Sequence, residues 1–225
     1  MKILALDTAT ENCSAALWID GNLLQREAEA ERGHAELILG MIDDLLHESA
    51  TQLANLDAIA FGRGPGSFTG VRLAASVTQG LAFGADVPVV PISDLRAVAQ
   101  RATSQHILVC NDARMQEVYW GCFERGPNGL MLPVGIERVS KPSEVHLPSE
   151  WAGTSPFGAG RGFAAYTSLR ESLADHLTNI DATLLPSARE IALLAVADVR
   201  AGRVKPPEEA VPVYIRNDVA TPKGS

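Results

Sequence analysis

Residues 62–70 read Gly62-Arg63-Gly64-Pro65-Gly66-Ser67-Phe68-Thr69-Gly70. A short apolar run at 57–61 precedes them and indicates a buried strand, and a proline-free stretch of helical character follows at 71–84. A glycine-rich turn between a strand and a helix lets the backbone bend sharply and directs free N–H groups towards a ligand. This order of elements predicts an α/β fold, and the turn suits either a phosphate or simple packing of the helix against the sheet.

The strand pattern of the first half returns in the second half. Each half opens with three predicted strands, at residues 3–7, 13–19 and 22–29 and again at 107–111, 118–123 and beyond the turn at 126–129. Self-similarity at about half the chain length indicates a duplicated β-β-β-α unit. We therefore expect two α/β subdomains, at 1–103 and 104–216, followed by a loose tail at 217–225.

The composition is that of a globular protein, with 225 residues of which 46% are hydrophobic and 20% charged. The net charge of −8 disfavours direct binding of nucleic acid by this chain alone, because an acidic surface repels phosphate. No apolar run approaches the roughly 20 residues that span a bilayer, and Asp7 stands where the apolar core of a signal peptide would continue. We expect a cytoplasmic protein that makes no membrane contact.

A phosphate or nucleotide site is the first candidate for chemistry. Its residues come from the turns after the first strand of each half and from the glycine-rich turn: Asp7, Thr8, Gly64, Gly66, Ser67, Asp112 and Arg114. The turn lacks the Lys-Ser/Thr pair of a P-loop, and Pro65 stands where a nucleophile elbow needs glycine. The acids could equally satisfy backbone donors at the strand ends, so both interpretations stay open.

Neither a metal nor a cofactor is expected. The five histidines never fall at the i, i+3 or i+4 spacing of a helical metal pair. Cys13, Cys110 and Cys122 are widely spaced, which favours reduced thiols packed as small apolar side chains. No Ser/His/Asp or Cys/His set can be assembled from residues close together in the sequence.

Two predicted helices, at 34–50 and 69–84, carry more apolar and small side chains than one sheet face can cover. Helices lined with small residues approach closely and can form a bundle across a subunit boundary. We expect the following side chains to contact a partner: His34, Leu37, Ile38, Met41, Leu45, Val71, Ala74, Ala75 and Thr78.

Four segments in particular, at 3–17, 34–39, 62–76 and 111–123, resemble the TsaB (YeaZ) family, and the likeness extends from residue 1 to about residue 216. The resemblance implies the duplicated α/β fold of the actin, Hsp70 and sugar-kinase group (ASKHA), with two α/β subdomains and mixed sheets. That fold agrees with the repeat found above. Members of this family are accessory subunits in the synthesis of threonylcarbamoyladenosine next to the tRNA anticodon.

The resemblance also implies a scaffold without catalysis. TsaB proteins pair with the transferase TsaD, and the ATPase TsaE joins them, so the expected partners are TsaD, TsaE and, for the chain alone, a second copy. Contact with tRNA is expected only through the complex. In TsaD a Val-Pro-x-x-Pro strand precedes an H-x-x-x-H metal motif, but here Asp94 and Val98 stand at the histidine positions. Because Val98 cannot ligate a metal, we expect no such centre.

Two other functions are alternatives to an accessory subunit. A small-molecule kinase or hydrolase would hold phosphate in the glycine-rich turn and use Asp7 or Asp112 as a base. A glycoprotein peptidase, suggested by the same superfamily, would need the metal pair or the nucleophile set that this sequence lacks.

Overall fold

The computed structural model describes residues 1–30 and 32–216. The first half builds a five-stranded sheet in the order β3-β2-β1-β4-β5. Its strands are β1 (Lys2–Asp7), β2 (Asn12–Ile19), β3 (Asn22–Glu29), β4 (Ala58–Gly62) and β5 (Val89–Ile92). The first three strands are antiparallel neighbours, whereas β4 and β5 run parallel to β1. The alternation of turns and apolar runs explains the antiparallel part, and α-helical crossovers produce the parallel part.

The second half repeats this topology, in the order β8-β7-β6-β9-β10. Its strands are β6 (His106–Asp112), β7 (Val118–Arg125), β8 (Met131–Ser140), β9 (Phe157–Ala159) and β10 (Asn179–Asp181). Again the first three strands are antiparallel neighbours, and β9 and β10 run parallel to β6. The same order and the same directions confirm the predicted α/β fold with two mixed sheets and its internal duplication.

Six α-helices complete the described part of the fold: α1 (His34–Glu48), α2 (Phe68–Ala85), α3 (Asp94–Arg101), α4 (Gly162–Ala165), α5 (Thr167–Leu173) and α6 (Ala188–Arg200). Short 3-10 turns lie at Leu53–Asn55, Pro142–Glu144, Ser149–Trp151 and Pro207–Glu209. In the second half, the 3-10 turns at Pro142–Glu144 and Ser149–Trp151 follow the third strand, β8. At the corresponding point of the first half, helix α1 follows the third strand, β3. The second half therefore has less helix than the first on this side of its sheet.

Helices α1 and α2 cover one face of the first sheet. Ile38, Ile42 and Leu45 recur at helical spacing on α1 and are buried against β1 and β2 side chains such as Leu6 and Leu17. Each fully buried side chain of this size contributes roughly 1.5–3 kcal/mol to folding. This packing fixes both helices on the sheet through their apolar sides.

The two halves exchange a helix. Helix α6 follows β10 but packs on the other face of the first sheet, where Ile191 and Leu194 meet Ile3. Helix α3 follows β5 but packs on the second sheet, where Leu95 meets Phe123. The predicted division between residues 103 and 104 therefore separates the two sheets but not the two packed units, because each sheet needs cover on both faces and takes one helix from the other half.

The sequence of residues 163–176 predicts one helical run, but Tyr166, whose extended backbone has φ −128° and ψ 104°, separates α4 from α5. Residues 211–215, which the sequence predicts as extended, lie outside the two sheets, and the Val213 N–H donates to the Arg63 carbonyl at 2.8 Å. The predicted tail at 217–225 lies outside the described residues. Within the described part of the chain, every helix is too short or too polar to cross a membrane.

Candidate functional site

A cleft of about 1040 Å³ lies between the two halves. Four segments form its walls: the β1–β2 turn, the Gly loop (residues 62–67) with the first turn of α2, the β6–β7 turn, and residues 213–216. The start of α1 and Arg161 complete it. Its volume lies just above the range of about 300–1,000 Å³ that is typical of small-molecule pockets.

The Gly loop is packed tightly against the β1–β2 turn. The Ser67 hydroxyl caps α2 by accepting a hydrogen bond from the Gly70 N–H at 3.0 Å, and the Ser67 N–H donates to the Ala9 carbonyl at 2.7 Å. A Cβ atom on Gly66 would lie 2.6 Å from the same carbonyl oxygen, and one on Gly70 would overlap the Thr8 carbonyl oxygen. Glycine is therefore required at both positions by packing, which agrees with the simpler of the two sequence interpretations.

Asp7 does not face the cleft, contrary to its predicted place in a phosphate site. Its side chain is fully buried, and one carboxylate oxygen accepts the Ala9 N–H at 2.9 Å. The carboxyl group lies against that of Asp94, which is also fully buried. Burial raises the pKa of Asp7 to about 6. The pKa of Asp94 is raised well above its usual range, first by burial and then by the charge of Asp7.

Asp112 and Arg114 line the cleft, as do Thr8, Gly66 and Ser67 from the predicted phosphate site, whereas Gly64 is buried behind its wall. One Asp112 oxygen accepts the Arg114 N–H at 2.8 Å and the Tyr166 hydroxyl at 2.9 Å, and the other lies 3.1 Å from the Arg114 guanidinium. Asp112 therefore uses both oxygens to hold the β6–β7 turn, whose residues 114–116 have positive φ.

Asn111 is a cleft residue that sequence reasoning missed. It is only 6% exposed, and neither atom of its amide group has a hydrogen-bond partner among the described residues. The sequence repeat of residues 3–7 and 107–111 pairs Asn111 with Asp7, although β6 continues one residue further, to Asp112. That pairing is the sequence signal for Asn111.

The cleft is basic although the chain is acidic. Among the residues that the structure describes, it is lined by five arginines, Arg32, Arg72, Arg114, Arg161 and Arg216, and by three acids, Glu11, Glu36 and Asp112. The Arg72 guanidinium lies 3.2 Å from the ring centre of Phe68 and 4.9 Å from that of Tyr214. Arg161 crosses between the halves, reaching Glu29 at 2.8 Å and Glu11 at 3.6 Å. The lining therefore favours anions over cations.

The predicted interface residues lie on α1 and α2, but most of them face inwards. Six are buried in the core of the first half: Ile38, Leu45, Val71, Ala74, Ala75 and Thr78. Leu37 and Met41 are half-buried against the same core, and the ring of half-buried His34 is hydrogen-bonded to the Thr10 carbonyl at 3.0 Å. The prediction that these six side chains contact a partner directly is wrong, because the apolar side of each helix already packs against its own sheet.

The outward surface of these helices has a different composition. We call it the outer face and define it by the exposed residues Leu39, Gly40, Ser76, Gly80, Phe83 and Gly84. Leu39 and Phe83 are more than half exposed, and a Cβ on any of the three glycines would meet nothing within 4 Å. Exposed glycines inside helices cost stability, about 0.5–1 kcal/mol each relative to alanine, without any gain in packing within this chain.

The positions compared with the TsaD metal motif are both interior. Val98 packs in the core of the second sheet, and the Asp94 carboxyl is turned towards Asp7 and Gly64. Within residues 1–30 and 32–216, no three side chains of His, Cys, Asp or Glu cluster as metal ligands would.

Comparison with known proteins gives a consistent result. The family model described as "TsaD: tRNA N6-adenosine threonylcarbamoyltransferase" matches residues 27–223. The tRNA threonylcarbamoyladenosine biosynthesis protein TsaB of Escherichia coli (strain K12) is 40% identical, over 99% of this chain and 98% of that protein. TsaB of Haemophilus influenzae is 39% identical over 99% and 97%. The structure of YeaZ from Pseudomonas aeruginosa matches with a TM-score of 0.85 at 41% identity, covering 95% of this chain and 99% of that one.

Proposed function

The chain belongs to the TsaB (YeaZ) family of tRNA threonylcarbamoyladenosine biosynthesis proteins, and we propose that it serves there as an accessory subunit without a catalytic centre of its own. The observation that carries the proposal is the state of the two acids considered as bases, Asp7 and Asp112. Asp7 and Asp94 face each other in the interior, and both oxygens of Asp112 are engaged in its own turn. No candidate acid is left in the cleft with a free oxygen to accept a proton from a substrate.

The proposed partners are the transferase TsaD and the ATPase TsaE, with a homodimer formed by the chain alone. We place the TsaD contact and the homodimer contact on the same outer face, so that the two assemblies compete. Gly40, Gly80 and Gly84 support this choice, because exposed helical glycines permit a partner helix to approach closely. Leu39 and Phe83 would supply the apolar contact area.

The proposed role places the protein in the cytoplasm, where its tRNA substrate would be modified. Contact with tRNA would be made through the complex, since the net charge of −8 repels phosphate backbones. The chain would contribute by holding TsaD in an assembled form and by completing a surface for TsaE.

Reconstitution tests the accessory role. TsaD and TsaE of the same organism are incubated with unmodified tRNA, ATP and a source of the threonylcarbamoyl group, with and without this chain. We expect threonylcarbamoyladenosine, measured by mass spectrometry of digested tRNA, to form only when the chain is present. Equal modification without the chain would contradict the proposal.

Nucleotide turnover separates this role from that of a kinase or hydrolase. The basic cleft is the observation that favours the alternative. We expect the isolated chain to hydrolyse ATP no faster than a buffer control, because neither acid considered as a base is available: Asp7 is buried, and Asp112 is paired within its own turn. Turnover that the Asp7→Ala or Asp112→Ala variant abolishes would instead establish an enzyme with its centre in this cleft.

A further inference from the structure

The contact between Asp7 and Asp94 lies directly under the Gly loop. A Cβ atom on Gly62 would be 2.5 Å from one Asp7 oxygen and closer still to an Asp94 oxygen, so both carboxyl groups face the same small space. Asp7 Oδ2 and Asp94 Oδ1 are buried and accept no hydrogen bond from a donor group of the described residues. Two ionised carboxylates in such a contact would repel each other strongly, whereas a single proton between them makes a hydrogen bond.

Asp94 also holds the Gly loop through its backbone and its side chain. Its second carboxylate oxygen accepts the Gly64 N–H, and its own N–H donates to the Gly64 carbonyl at 3.1 Å. Gly64 has a φ of +102°, a conformation that other residues rarely adopt. Asp7 secures the neighbouring β1–β2 turn through the Ala9 N–H. The two acids thereby join the end of β1, the Gly loop and the start of α3.

We propose that Asp7 and Asp94 share one proton in the folded chain, and that this shared proton makes Asp94 the residue that positions the Gly loop. The internal hydrogen bond holds the loop and, through it, the N-terminus of α2 in place. The positioning involves this chain alone and holds whatever its partners are.

The charged groups around Asp7 and Asp94 do not supply enough positive charge to balance two ionised carboxylates. His34 on α1 and Cys13 on β2 face Asp7, and the Arg63 guanidinium lies nearest to Asp94. Arg63 is itself paired with Glu137 of β8, at 3.2 Å, and Glu137 also accepts the Ser93 hydroxyl. Since the one arginine is already shared with a third acid, two ionised carboxylates would lack a full counter-charge.

The sign of the pH dependence follows from the raised pKa of both acids. A carboxyl group whose pKa is higher in the folded state than in the unfolded state stabilises the fold fully only below its unfolded pKa. That contribution is lost as the pH rises through the folded pKa. We therefore expect the pair to lower stability progressively from about pH 4 upwards through about pH 6 and beyond.

The Asp94→Asn variant tests the shared proton. Its amide NH₂ can donate to Asp7 at any pH, and its amide oxygen can still accept the Gly64 N–H. We expect the denaturation midpoint of the native chain to fall relative to that of the variant as the pH rises from about 4 to about 8. The Asp86→Asn variant at an exposed position serves as the matched control and should follow the native profile. Parallel profiles for the native chain and Asp94→Asn would overturn the proposal.

Infrared spectroscopy detects the protonated carboxyl group itself, independently of any effect on stability. We expect the native chain at neutral pH to show the carbonyl band of a protonated carboxyl group, and this band should vanish in Asp94→Asn and in Asp7→Asn. If one variant fails to fold, the other and the native spectrum still decide. Absence of the band from the native chain at neutral pH would show that both acids are ionised and would refute the shared proton.

Discussion

The Gly80→Glu variant should lose both the homodimer and the complex with TsaD while remaining folded. Gly80 lies in the middle of the exposed row on α2, with open space where its side chain would be. A glutamate there would separate two closely packed helices and bury an unpaired charge, which costs roughly 3 kcal/mol or more. Affinity should therefore fall by at least about 100-fold, as measured by light scattering and by titration calorimetry.

Its control is Ser172→Glu, which adds the same charge on the exposed surface of α5. That variant should assemble like the native chain. At a protein concentration where the native chain is monomeric, the thermal midpoint of Gly80→Glu should not fall, because glutamate is a better helix former than glycine. If Gly80→Glu formed both complexes with native affinity, the outer face would not be the docking surface.

The Gly70→Ala variant should be strongly destabilised. The new Cβ atom would overlap the Thr8 carbonyl oxygen and crowd the Ser67 hydroxyl that caps α2, so backbone has to move. Overpacking against backbone of this kind costs about 3 kcal/mol or more. For a chain of this length we expect a fall of roughly 6–12 °C in the melting temperature, measured by calorimetry.

Gly80→Ala provides the matched control in the same helix. It makes the same chemical change at a position with nothing within 4 Å in the single chain, and at a concentration where the chain is monomeric it should raise stability by about 0.5–1 kcal/mol. A Gly70→Ala variant as stable as the native chain would mean that the Gly loop can shift freely away from the β1–β2 turn. The close packing described here would then be wrong.

Much of the fold could be predicted because its signals are local. The apolar runs of β1 and β6 and the helical spacing of Ile38, Ile42 and Leu45 depend only on neighbouring residues. The duplicated order of strands follows from those runs. Short elements escaped prediction for the same reason, since β9 and β10 have three residues each and too few positions to show a period.

The site was harder to predict because its contacts join distant parts of the chain. Nothing near Asp7 in the sequence indicates that its carboxyl group lies against that of Asp94, which starts a helix that crosses to the other sheet. The residues that contact a partner were hard to predict for a related reason. Periodicity shows which side of α2 is apolar, but it cannot tell whether that side meets its own sheet or a partner. Only the packed structure shows that Ala75 is buried in the core whereas Gly80 is exposed.

The most direct test of the accessory role is size-exclusion chromatography with light scattering, on this chain alone and mixed with TsaD of the same organism. We predict a homodimer for the chain alone that converts to a one-to-one heterodimer when TsaD is added. A chain that stays apart from TsaD at every ratio would contradict the proposed function.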